Sequence, residues 1–513
     1  MKKIFLLITL LLFAFGVQSQ NITVDWLSES KAKNGMNPKN ILGEFNNEIY
    51  LLKDDYSSAG RHHYYSLETY SSSDMMLTNS IELKLPDIHE RGDQTMIRLS
   101  LMKNGNLVLF FDNEKMKLAK PYAKTSEIEY KCYAALIDNK AKAIGEPQLI
   151  YEDEQSYKVG KEYTTKKCNV ILSTDSTRFF MYSGNVRNKR LSGKIFDSDL
   201  KQLKVVSYEF PLERSFSISN LIFDENQILY GVCKENTAEI KKYAYKIIAL
   251  NLTNYSLKSS PIDIKTELPL SRFHMSKANN RLQIVGYYFA GLKKKTTGGG
   301  ILFYEFNASD LKNQKSFSAE YDPKVITQLN CNSKFLKDYT MYDTANAITS
   351  LVNSKFIHLK NGETIVLSEQ VVELDLASTS GDDYFNILVT RITKDGIINN
   401  PYVIPKLQSG KSKSYYSFLD MVKNDKLFLI YNDNSRNEEQ EDPYKSINGL
   451  NGINGSSTFI VSFTDDSWSK KLLFPIDADA SFIHPAKFLY RNANEILIYG
   501  QKENKIKFAL IKL

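Results

Sequence analysis

The chain has 513 residues, 66 of them basic and 59 acidic, for a net charge of +7. Charge so balanced and dispersed lacks the concentrated basic footprint of a nucleic-acid binder. Tyr (31) and Phe (28) abound beside two Trp, and with dispersed Asn, Asp and Gly this is all-β composition.

Residues 1–19 read as a secretory signal. Lys2 and Lys3 supply the charged start, Ile4 to Val17 an apolar run, and Val17-Gln18-Ser19 a cleavage site. The apolar run is short of the about 20 residues that a membrane span needs. No Cys follows it to accept a lipid anchor, and no later stretch is long and apolar enough to cross a bilayer. The expectation is an exported protein of the periplasm or the extracellular space, monomeric and without a membrane span.

After the leader, Ile22 to Leu27 alternate like a strand. From there a repeat dominates. An Asn, Asp or Gly turn directly precedes an apolar strand at Asn46-Asn47, Asn104-Gly105-Asn106, Asp175-Ser176, Asn226, Asn279-Asn280, Asn361-Gly362, Asn424-Asp425 and Asn492 to Asn494. Tight hairpins demand positive φ, which these residues tolerate best. A second polar turn follows each next strand (Asp197-Ser198-Asp199 and Asn307 are examples), and then a fourth strand such as Gln148–Tyr151, Ile262–Ile264 or Tyr402–Ile404. Only the last copy lacks its fourth strand, and the segment after the leader is left over to supply it.

The units run 34–88, 89–155, 156–213, 214–268, 269–325, 326–408, 409–479 and 480–513 with 20–33. At roughly 62 residues each they exceed the about 40–50 of WD40 and kelch blades, so their loops are long. A solenoid would need caps, whereas a ring closed by the N-terminal strand hides both sheet edges. The fold expected is one all-β domain over 20–513, a β-propeller of eight four-stranded blades whose last blade the N-terminal strand completes. Stacked β-sandwiches are the alternative.

Three segments interrupt the rhythm. Gly291 to Gly300 and Asn432 to Ser457 read as long loops, and 326–352 as an insertion. Within the insertion Met341, Ala345, Ile348 and Val352 carry helical spacing. The four cysteines, Cys132, Cys168, Cys233 and Cys331, fit no metal spacing. Export permits disulfides and three pairings are open, but Cys132 and Cys233 sit in apolar strand patterns, and the balance falls on free thiols.

The runs Phe356–Gln370, Tyr384–Gly396 and Ser414–Asn434 resemble a family of uncharacterised secreted Bacteroidetes proteins, large and propeller-like. The resemblance covers about the last third of the chain and implies export and the repeat fold. It carries no catalytic residue across, and the 326–352 insertion departs from the family pattern.

No nucleophile elbow, phosphate loop, dinucleotide fingerprint or metal motif is present, so no catalytic residue, metal ligand or cofactor is assigned. Arg91-Gly92-Asp93 matches an adhesion tripeptide, for which chance suffices. In a propeller, loops that enter the innermost strands meet around the channel mouth. There the sequence gathers His89, Glu90, Arg91, Asp93, Arg214, Arg272, His274, Tyr415, Tyr416, Asp479 and His484. These are candidate binding residues, although His and Arg also serve as satisfied polar groups of such channels. Loop tyrosines including Tyr444 suit stacking or anchoring. Two readings follow: a binding or scaffold protein for a protein or glycan of the cell envelope, or a polysaccharide or peptidoglycan hydrolase or lyase using rim carboxylates such as Glu90 and Asp479.

Overall fold

The computed structural model describes residues 22–31, 37–56, 63–85, 93–117, 125–138, 143–158, 168–183, 190–211, 216–236, 243–264, 270–290, 298–331, 351–372, 383–399, 401–409, 416–438, 442, 444, 447–450, 455–464, 467–475, 482–492, 494–502 and 505–512. The expected signal segment and most residues at the channel mouth lie outside them.

Eight antiparallel sheets form a ring, an eight-bladed β-propeller of four-stranded blades, the second of which also pairs the two-residue strand Ala143–Ile144. The first, innermost strands are Asn37–Phe45, Asp93–Leu101, Cys168–Leu172, Phe216–Phe223, Leu270–Ala278, Leu351–His358, Leu419–Lys423 and Phe482–Asn492. The N-terminal strand Thr23–Lys31 is the outermost strand of the eighth blade, antiparallel to Lys505–Lys512 with Thr23 opposite Lys512 and Trp26 opposite Ala509. The arithmetic of seven complete units and one short one therefore ends in closure.

The core is distributed. Each boundary between neighbouring blades holds its own apolar cluster. Ile41 and Leu51 of blade 1 meet Leu497 and Tyr499 of blade 8 at the last boundary. A blade buries both faces only when both neighbours are present, so the ring is cooperative where an isolated sheet would not be.

The turns show why the repeat was readable. Between first and second strands, Asn46, Asn47, Ser176, Gln227, Asn279, Asn424 and Asp425 all take positive φ, as do Gly105 and Gly362. Gly105, at φ +90°, has no room for a methyl group, because a Cβ there would lie 2.2 Å from the Phe45 ring of blade 1. Gly396 of blade 6 stands in the same relation to Phe317 of blade 5, with a Cβ contact of 2.0 Å.

The turns between third and fourth strands hold something the sequence did not signal. Met75, Leu200, Tyr255 and Leu311 also adopt positive φ, against the preference of such side chains. Met75, Leu200 and Leu311 are buried, so packing offsets the backbone cost. From the neighbouring blade a lysine closes each of three turns: Lys204 donates to the Thr253 carbonyl (2.5 Å), Lys258 to Ser309 (2.7 Å) and Lys315 to Lys394 (2.6 Å).

Several expectations shift, since Gly298 to Gly300 and Asn432 to Asn434, expected in loops, lie in strands. The fourth strand of blade 4 is Leu257–Ile262, not Ile262–Ile264, because outermost strands are half-exposed and polar alternation hides them. Val352 lies in the strand Leu351–His358, not in a helix, and Met341, Ala345 and Ile348 fall outside the described residues. A helix does precede blade 6, at Pro323–Leu329. Asp322 caps it through the Lys324 amide, and Val325, Ile326 and Leu329 are buried.

Candidate functional site

His89, Glu90, Arg91, Arg214, Tyr415 and Asp479 lie outside the described residues. Asp93 opens the first strand of blade 2 opposite Glu114, and Arg272 lies in the first strand of blade 5 at an irregularity in its pairing. His274, two residues on, is half-buried with its ring 6.4 Å from that of Tyr287. Tyr416 and His484 are buried, at 1% and 0% exposure, so both belong to the wall of the ring and not to its surface. His484 packs between the rings of Phe482 (5.5 Å) and Tyr499 (5.0 Å).

What surrounds Tyr416 is a buried polar network that crosses three blades. Lys406 and Glu369, 0% and 1% exposed, form an ion pair. Lys406 also donates to Gln408 Oε1 (2.9 Å), and Ser417 Oγ donates to Glu369 (2.7 Å). Gln408 Nε2 donates to the Asn432 carbonyl (2.7 Å), and Asn432 Nδ2 to the Ile483 carbonyl beside His484 (2.8 Å). Burial pulls the Lys406 pKa down, and Glu369 opposes the shift. Each charge is matched and hydrogen-bonded, as a low-dielectric site requires. These groups tie the second strand of blade 6 and the second strand of blade 7 to the first strand of blade 8, and all but the half-buried Ser417 are buried.

Along the channel, Lys355 of blade 6 meets Asp420 Oδ1 of blade 7 at 2.6 Å, and Tyr490 OH of blade 8 donates to Asp420 Oδ2 at 2.8 Å. They line a recess of about 250 Å3. Burial, reinforced by the Asp420 charge, pushes the Tyr490 pKa far up, so its hydroxyl stays protonated.

A larger cavity than this recess lies elsewhere, on the flank between blades 6 and 7, with a volume of about 1370 Å3. Its origin is the fourth strand of blade 6, which is three residues long, Tyr402–Ile404, where that of blade 7 has eight. The shortened strand leaves the outer part of the interface unfilled. Tyr402, Tyr444, Phe463 and Trp468 border the gap, all half-buried. The Tyr402 and Phe463 rings are 5.8 Å apart, and Tyr444 OH is anchored on the Val403 carbonyl at 2.7 Å.

Polar groups of the cleft are already set. Arg391 pairs with Glu363, Nε to Oε2 at 2.7 Å, and Asn361 Nδ2 donates to the same oxygen at 3.0 Å. Asp425 accepts the Lys360 amide at 3.0 Å, and Asp322 caps the helix. No group of three His, Cys, Asp or Glu side chains among the described residues could hold a metal ion. Of these cleft residues the sequence singled out only Tyr444 as a loop contact. The others come from several separate strands and turns, and their one shared signal was the short Tyr402–Ile404 strand.

No protein-family model matches the sequence, and none of the curated proteins does. Solved structures resemble the fold. A prolyl endopeptidase is 8% identical with a TM-score of 0.39, covering 94% of this chain and 55% of its own, so this chain spans about half that enzyme's length. Porphyromonas gingivalis dipeptidyl peptidase 4 is 9% identical with a TM-score of 0.42, covering 91% of this chain and 56% of its own. The polysaccharide lyase Uly1 is 9% identical with a TM-score of 0.35, covering 94% and 91%. Likeness at this level concerns the fold alone. No helix among the described residues is long and apolar enough to cross a membrane.

Proposed function

We propose that the protein is an exported β-propeller binding protein that holds a glycan of the cell envelope in the cleft between blades 6 and 7. The observation that carries this reading is the cleft's combination of aromatic edges with fixed polar groups. A sugar ring is apolar on its C–H faces and polar around its rim, so it needs flat rings to stack on and donors and acceptors beside them. Tyr402 and Trp468 supply the rings, and the Glu363–Arg391 pair with Asn399 the polar rim.

Binding is favoured over hydrolysis by the state of the carboxylates. Glu363, Asp425 and Asp322 are each committed to an ion pair, a backbone amide or a helix cap. Proton transfer to a glycosidic oxygen needs a carboxyl free to give up its proton. The other candidates for that role, Glu90 and Asp479, lie outside the described residues. Export rests on the leader sequence and on the resemblance to secreted proteins.

Binding of the purified protein to an array of bacterial envelope polysaccharides tests the reading. Trp468→Ala and Tyr402→Ala are expected to lower affinity at least tenfold with no change in melting temperature above a few degrees. Affinity untouched by both substitutions would place the ligand elsewhere, and turnover of a glycan would replace binding by catalysis.

A further inference from the structure

Cys132 and Cys168 are brought together across the boundary between blades 2 and 3, a relationship independent of the cleft. Cys132 lies in the third strand of blade 2 and Cys168 opens the first strand of blade 3. They are 0% and 4% exposed and share one apolar cluster with Phe110, Phe179 and Met181. Tyr130, two residues before Cys132 and on the same strand face, fixes the approach. Its hydroxyl accepts the Cys168 amide at 3.2 Å and donates to Asp112 at 3.1 Å, and Asp112 is the register partner of Cys132. The neighbouring Cys168 thiol, with burial, raises the Cys132 pKa well above its ordinary value. Cys233 belongs to the core between blades 3 and 4, and Cys331 follows the helix and hydrogen-bonds Asn386 at 3.5 Å. All four stand as thiols in this structure.

We infer that Cys132 and Cys168 form a disulfide that ties blade 2 to blade 3 when the chain folds under oxidising conditions. The oxidant is a small-molecule or protein disulfide. One thiolate attacks it to give a mixed disulfide and release a thiol. The second cysteine then attacks the mixed disulfide, forms the Cys132–Cys168 bond and releases the other thiol. Two electrons and two protons pass from the cysteines to the former disulfide. Once both sulfurs are buried, a raised pKa and lack of access slow exchange, so the bond forms during folding and is then shielded from reduction. The bond closes a loop of about 36 residues, which stabilises the ring by restricting the unfolded chain.

The test uses the full mature chain, denatured, reduced and refolded in a glutathione redox buffer, so that it stands apart from the question of export. Alkylation under denaturing conditions without reductant should modify two of the four cysteines, and peptide mapping should recover a Cys132–Cys168 cross-link. Cys233→Ser should leave the bond in place, and either Cys132→Ser or Cys168→Ser should abolish it. Reductant should lower the melting temperature of the oxidised protein by several degrees and leave the double variant unmoved. Four reactive thiols, a bond to Cys233 or Cys331, or stable glutathione adducts on both cysteines would overturn the inference. The wild-type alkylation decides the matter even if a variant fails to fold.

Discussion

The Lys512 ammonium lies 2.8 Å from the Asp25 carboxylate, joining the outermost strand of the last blade to its neighbour. Both side chains are about half-exposed (42% and 49%), so this pair marks the closure more than it stabilises it. The ladder and the Trp26 ring, 5.4 Å from Phe474 and edge-on to it, carry the energy. Asp25→Asn should leave the urea midpoint essentially unmoved, since the Lys512 partner is exposed. Trp26→Ala should cost about 2–3 kcal/mol by urea unfolding, less than a fully buried aromatic truncation because the ring is only half-buried. Equal effects of the two would show that the strand is not packed as described.

The Lys406–Glu369 pair should respond oppositely. Neither partner touches solvent, so Glu369→Gln strands a buried ammonium and should cost about 3–5 kcal/mol. Replacing both together, Lys406→Met with Glu369→Leu, should cost less than either single change. Denaturant midpoints of the three variants check this.

Lys487 gives the ring a pH dependence. Burial lowers its pKa to about 8 from the ordinary 10.5, beside Lys39 and Asp54 of blade 1. Between pH 8 and 10.5 the unfolded chain holds more protons at this site than the folded one. Its contribution to stability therefore rises with pH across that window. Lys487→Met should raise the melting temperature at pH 7 and remove this part of the slope. A slope identical in both proteins would mean that Lys487 keeps its ordinary pKa.

The clasps from Lys204, Lys258 and Lys315 recur at three boundaries that share no partner. Each Lys→Ala change should cost about 0.5–1 kcal/mol, and the triple variant close to the sum. A much larger loss in the triple variant would show that the boundaries are coupled around the ring.

Much of the fold was legible because its signal is local. Asn46, Asn279 and Asn424 mark their turns through a conformational preference that each residue carries by itself. The strands that escaped notice in part, such as Leu257–Ile262, are outermost and half-exposed, where no simple alternation survives. The buried Leu200 and Leu311 at positive φ were invisible for a different reason. Their strain is offset by packing on residues far along the chain, which no local pattern records.

By itself the sequence determined the repeat and the missing strand, because turn chemistry and strand alternation act over a few residues at a time. Tertiary structure alone decided which distant groups meet: Tyr402 with Trp468 across an unfilled boundary, Lys406 with Glu369, and Cys132 with Cys168 in one boundary cluster. Meetings of that kind depend on how far each blade turns from the last and how well its outer strand fills the gap. Those are properties of packed volumes, not of spacing along a chain.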